Sequence, residues 1–148
     1  MKLTTRAASI IALSAASTFA AADTFQASVT VLDTLAIAEN TAVDFGTISN
    51  TDGTCIMATG GALSGTNGCT GTATPGDFTI TGSDVTIDLT VTPGAAVDGV
   101  TFTPAIDGST SPTLSGGTTS VTVIGQLSLS SATAGAKSIN YDLTANYQ

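Results

Sequence analysis

Histidine and tryptophan are absent from this 148-residue chain, and only 3 of its residues are Lys or Arg. Without an imidazole, a serine nucleophile has no ordinary general base. A Ser–Lys pair would have to use Lys137, which falls where a solvated strand start is expected. Zinc loses its commonest nitrogen ligand. Aromatic residues make up 5% of the chain, and most of them sit at core parity, which counts against a stacking platform for sugars. Scarce bases leave nothing to neutralise phosphates, so no nucleic acid partner is expected. Leucine is sparse and Glu and Lys are nearly absent, which argues against long helices. No segment beyond the N-terminal region is long or apolar enough to span a bilayer, which takes about 20 apolar residues.

The acidic residues do not repair these gaps. Asp88 and Asp142 lie on polar strand faces, and the other aspartates are scattered at turns. Solvated surface explains them better than paired acid–base catalysis. Asp52-Gly53, Asp98-Gly99 and Asp107-Gly108 read as turns, since no closely spaced Asp-x-Asp-x-Asp loop offers calcium its several oxygens. Gly60-Gly61 neither follows a strand nor opens a helix, so no phosphate cradle is expected. The chain is therefore read as no enzyme, with no catalytic residue, no metal and no cofactor.

The N-terminal residues read as a secretory leader over 1–22. Lys2 and Arg6 precede a short apolar run from Ala7 to Phe19, and Ala20-Ala21-Ala22 supplies small residues for a signal peptidase. Cleavage is expected after Ala22, with Ala20 as the second choice; an uncleaved anchor helix is the alternative. Residues 23–148 then form a single domain with no integral membrane segment. That domain keeps Lys137 alone against all 11 acidic residues. Such a surface favours solubility and disfavours anionic membranes.

What is abundant is Thr, Ser, Gly, Ala and Val, the composition of strands and tight turns. Period-two alternation places Phe25, Ala27, Val29 and Val31 on one face of an N-terminal strand over 25–32. Val43–Ile48 is a second candidate. Val85, Ile87, Leu89 and Val91 form the cleanest strand. Val100 and Phe102 form a shorter one, ended by Pro104. Val121, Val123, Leu127 and Leu129 share one parity, and Gly125 between them marks a bulge or a close backbone approach. Ile139, Tyr141, Leu143, Ala145 and Tyr147 share one face of the last strand. Turn signals at Asp52-Gly53, Pro75-Gly76, Pro93-Gly94, Asp98-Gly99, Asp107-Gly108 and Gly116-Gly117 separate these runs. Many short strands so spaced predict an all-β fold, an immunoglobulin-like antiparallel β-sandwich.

The 49–76 region is Gly, Thr and Asn rich and reads as a long hairpin or loop. Cys55 and Cys69 are the only cysteines, and in an exported chain an even pair reads as a disulfide that pins this loop. A two-cysteine metal site would need further soft ligands. For the N-terminal strand two readings stand side by side. It is the first strand of a self-complete sandwich, or it leaves its domain and pairs with a sheet edge of another subunit.

Several segments resemble the secreted bacterial family known as domain of unknown function 4402. They are Val43-Asp44-Phe45-Gly46-Thr47-Ile48, the Gly/Thr stretch after it, Asp77-Phe78-Thr79-Ile80-Thr81-Gly82, Val85–Thr92, Ser120–Leu129 and the ending Tyr141–Gln148. The last strand, with penultimate Tyr147 and an earlier Gly135, is also similar to pilin subunits assembled by a chaperone and usher. That resemblance implies a periplasmic chaperone, an outer-membrane usher and a homo-polymer as partners. It implies that Ile139, Tyr141, Leu143, Ala145 and Tyr147 face the chaperone or groove. Phe25, Ala27, Val29 and Val31 would be the donated side chains. Pilin disulfides usually join more distant cysteines, near the first strand, whereas Cys55 and Cys69 close a local loop. The function expected is a fimbrial, pilin-like subunit at the periplasm and cell surface. The alternative is a self-contained secreted binding module, for example for surface polysaccharide.

Overall fold

The structure, a computed structural model, describes residues 24–148. The leader, its cleavage site and Asp23 lie outside the described residues. The chain divides at Thr30 into two units. In the first, residues 24–30 form no strand and are exposed. The second unit, from Val31 on, is an all-β sandwich.

Its strands are β1 (Ala36–Thr41), β2 (Gly53–Met57), β3 (Leu63–Gly65), β4 (Gly76–Thr81), β5 (Ile87–Pro93), β6 (Val100–Asp107), β7 (Thr118–Leu129) and β8 (Tyr141–Tyr147). All pairings are antiparallel. The long β7 organises the larger sheet. One edge pairs β4 along Thr118–Val123 and then β2 along Gly125–Leu129, while the other edge pairs β6. β1 lies outside β4 and β3 outside β2. The smaller sheet is β5 with β8. On its other side β5 is bonded to the irregular stretch 110–114, through Ile87 N–H to the Pro112 carbonyl (3.0 Å) and Leu89 N–H to that of Thr110 (2.8 Å).

The expected parities fill the space between the sheets. One cluster gathers Phe45, Met57, Val100, Phe102, Leu127 and Leu129 with Cys55 and Cys69. The other gathers Phe78, Ile80, Ile87, Leu89, Leu114, Val121 and Val123. A chain of edge-to-face aromatic contacts joins them: Phe45 to Phe102 (5.7 Å), Phe102 to Tyr141 (5.4 Å) and Tyr141 to Phe78 (6.5 Å). Cys55 and Cys69 form a disulfide with Cα atoms 5.8 Å apart, closing the β2–β3 hairpin and the loop after it.

Several expectations are corrected. Residues 25–32 hold no strand pairing of their own. The Val43–Ile48 strand is not formed; only Asp44 bridges to Thr74. The Asp44 carboxylate accepts the Gly46 N–H (2.7 Å), and Gly46 has φ +66°, so this stretch bends as an Asx turn. β1, which precedes it, is a strand that alternation does not reveal. Pro104 does not end β6, which runs on to Asp107. As β6 pairs only with β7 in its sheet, a proline whose missing N–H lies on the free edge breaks no ladder bond. Pro75-Gly76 and Pro93-Gly94 are not turns, since Gly76 opens β4 and Pro93 closes β5. Asp98-Gly99 and Gly116-Gly117 are tight turns with positive φ at both central positions, joining paired residues Val97 to Val100 and Ser115 to Thr118. Gly125 stays in register with both Met57 and Pro104. Its role is therefore close approach: a Cβ there would collide with the Thr103 carbonyl.

Candidate functional site

The two sheets are not closed along one side. Among the described residues β8 pairs with β5 alone. Gln148 N–H donates to the Thr86 carbonyl (3.2 Å), so in this antiparallel register the even-numbered residues of β8 bond to β5. The N–H and C=O groups of Tyr141, Leu143, Ala145 and Tyr147 consequently point to an open edge. Across from it, β1 pairs with β4 alone among the described residues. Its Ile37 and Glu39 lie opposite the buried Ile80 and Phe78, hence on the inner face, yet every residue of β1 is exposed. An edge strand this bare on its inner side lacks a covering neighbour.

Two hollows follow this seam. The upper, of about 510 Å³, lies among Ile37, Glu39, Val43, Phe78, Tyr141 and Leu143. The lower, of about 730 Å³, is floored by Phe45, Phe102, Leu127 and Leu129 under the 132–137 loop. Val43, Lys137, Ile139 and Tyr141 line both, so the two are continuous. Lys137 is the only base among the described residues. It is not the solvated group expected, because its Nζ is paired with the Asp98 carboxylate (3.0 Å) and donates to Thr133 Oγ1 (3.0 Å).

Tyr141 stands at the centre. Its hydroxyl is buried and has no hydrogen-bond partner among the described residues. Burial raises its pKa above the ordinary phenol value, and the Glu39 carboxylate raises it further. An inward-facing Glu39 on an edge strand also discourages indiscriminate sheet pairing.

Of the groove-facing residues expected from the sequence, Ile139, Tyr141 and Leu143 line the seam. Ala145 and Tyr147 share their parity and pack on the second core cluster. Phe25, Ala27 and Val29 are exposed in the first unit, as is Val31 at the start of the second, with Phe25 at 88%, Val29 at 86% and Val31 at 85% of full accessibility. Periodicity does not single out Ile37 and Glu39, because a seam depends on which strands fail to pair.

Among the described residues no group of three or more His, Cys, Asp or Glu side chains is placed to hold a metal. Nor does any helix among them have the length and apolarity to cross a membrane. No family model, curated protein or solved structure matches the chain.

Proposed function

We propose that this chain is a secreted structural subunit, pilin-like, which joins others into surface filaments when residues 25–31 of one copy fill the seam of another. A single observation carries the reading: the described residues hold both an apolar alternating segment without a sheet and a sheet edge without a strand. Phe25, Ala27, Val29 and Val31 recur at period two, matching the alternation along Tyr141, Leu143 and Ala145 on β8. Pairing would satisfy the open groups of β8 and cover the inner face of β1. The disulfide and the leader-like N-terminus support export through an oxidising compartment. A chaperone that holds β8 before assembly, and an usher, belong to the same proposal, as does the resemblance to domain of unknown function 4402.

The test uses the full chain. Wild-type protein should form filaments visible by electron microscopy and a ladder of oligomers by native mass spectrometry. Val29→Asp, which puts a charge at an inward position, should leave monomers with an unchanged circular dichroism spectrum. A wild-type protein that stays monomeric at every concentration, with residues 25–31 slow to exchange their amide hydrogens, would replace this reading with the self-contained binding module.

A further inference from the structure

The last strand also holds the entry of the chain into the sandwich. Tyr147, the final residue of β8, donates its hydroxyl hydrogen to the Asp33 carbonyl (2.8 Å). The same oxygen accepts the Ser83 N–H (2.7 Å). Asp33 is held a second time, its N–H donating to Ser83 Oγ (2.7 Å). The hydroxyl sits in a notch that only glycine leaves open. A Cβ on Gly82 would collide with it and would lie 2.8 Å from a Leu35 methyl carbon. Leu35, two residues on from Asp33, packs against the second core cluster. Asp33 and Leu35 are thus fixed, while Val31, two residues before Asp33, is almost fully exposed.

We infer that Tyr147 is a positioning residue that fixes the root of the N-terminal segment to the end of β8. A phenol suits this place because one oxygen both donates and accepts, while its ring stays on the inward face of the strand. The consequence for assembly rests on the strand-donation reading. β8 is then both the strand that receives a neighbour's segment and the strand that anchors the root of its own. Successive subunits are related through one rigid element, and the stretch left to link them lies between Val31 and Asp33.

Tyr147→Phe keeps the ring and removes the bridge. In the full-length protein, amide exchange at both Ser83 and Asp33 should rise about tenfold, the effect of losing one hydrogen bond in a local opening. Leu89, whose amide is held by Thr110, should not change, whereas general loosening of the fold would speed all three. Gly82→Ala, which crowds the hydroxyl from its notch, should reproduce the pattern. Unchanged exchange at Asp33 in both variants would overturn the inference. Filaments of Tyr147→Phe should form in normal amount but lose the layer lines of the wild-type diffraction pattern; retained helical order would overturn the assembly role. If wild-type protein forms no filaments, the donation reading fails and the exchange experiment still decides the anchor.

Discussion

Replacing Tyr141 by phenylalanine should stabilise the domain. The ring is wedged between Phe78 and Phe102, and a phenylalanine keeps both contacts. What it removes is a buried hydroxyl without a partner. An orphaned polar group costs about 1–3 kcal/mol relative to its hydration in the unfolded chain. The small void left by one oxygen offsets part of this, so a net gain of about 1–2 kcal/mol is expected. For a domain of this size that is a rise of roughly 4–8 °C in Tm. The pH dependence makes the test sharper. The folded-state pKa of Tyr141 is raised, by burial first and by Glu39 second. Below the unfolded-state value of about 10, both states hold the proton and the contribution is constant. Above it the unfolded chain loses the proton while the fold retains it, so wild-type stability falls as pH rises. Phenylalanine has no such loss, and its advantage should widen between about pH 9 and 11, roughly one unit either side of the ordinary phenol pKa. Urea denaturation of both proteins across that range measures the difference directly, and other groups cancel in it. A less stable Tyr141→Phe at neutral pH, or an advantage that stays flat through alkaline pH, would refute the orphaned-hydroxyl reading.

Reducing the Cys55–Cys69 disulfide releases a loop of sequence separation 14. It should cost about 3 kcal/mol on the chain-entropy model, or roughly 10 °C in Tm by calorimetry. Gly125→Ala drives a methyl into the Thr103 carbonyl and to within 2.8 Å of the Phe102 ring. It should destabilise by about 1–3 kcal/mol in chemical denaturation. Assembly should quicken as salt rises, measured by light scattering at fixed protein concentration. Residues 24–32 carry no charge, while the rest of the described chain sets Lys137 against ten Asp and Glu residues, so copies repel until added ions shorten the Debye length from about 30 to 8 Å. Slower assembly in salt would mean that charge pairing, not the neutral strand, makes the contact.

Alternation found much of the core of the sandwich, though not Met57, Phe78, Ile80 or Leu114. β5, β7 and β8 read directly, since their inward residues are Ile87, Leu89, Val121, Val123, Leu143 and their neighbours. Local chemistry misled in two places. Val43–Ile48 has the apolar content of a strand, but the Asp44 side chain competes for the Gly46 N–H. β1 has little propensity of its own, as Ala36, Ala38 and Asn40 occupy alternate positions, and it exists because β4 offers an edge. Pro104 misled for a third reason. Whether a proline stops a strand depends on which side of the strand has a neighbour, and that is a property of topology. The same holds for the candidate site. The anchor at Tyr147 joins residues 114 positions apart, and the seam is defined by pairings that are missing. Gly82, followed by Ser83 and Asp84 between β4 and β5, reads as an ordinary loop glycine and does not announce the anchor.

Magnitudes bear on how a neighbour's segment would be held. Burying Phe25, Val29 and Val31 in full supplies about 5–9 kcal/mol. Fixing Phe25–Val31 in extended form costs about 7–14 kcal/mol, at roughly 1–2 per residue. Side-chain burial alone therefore does not hold a segment lying in the hollows. Tyr141, Leu143, Ala145 and Tyr147 each present one N–H and one C=O at the open edge of β8. At about 1 kcal/mol for each bond formed, pairing makes up much of the shortfall that side-chain burial leaves. Val29, Thr30 and Val31 are three β-branched residues in a row. Their stiff side chains already restrict this stretch toward extended backbone, which lowers the ordering cost on the same side of the balance. The seam thus selects for a strand over a loosely held apolar peptide, because only an extended chain reaches the hollows and the unpaired backbone of β8 together.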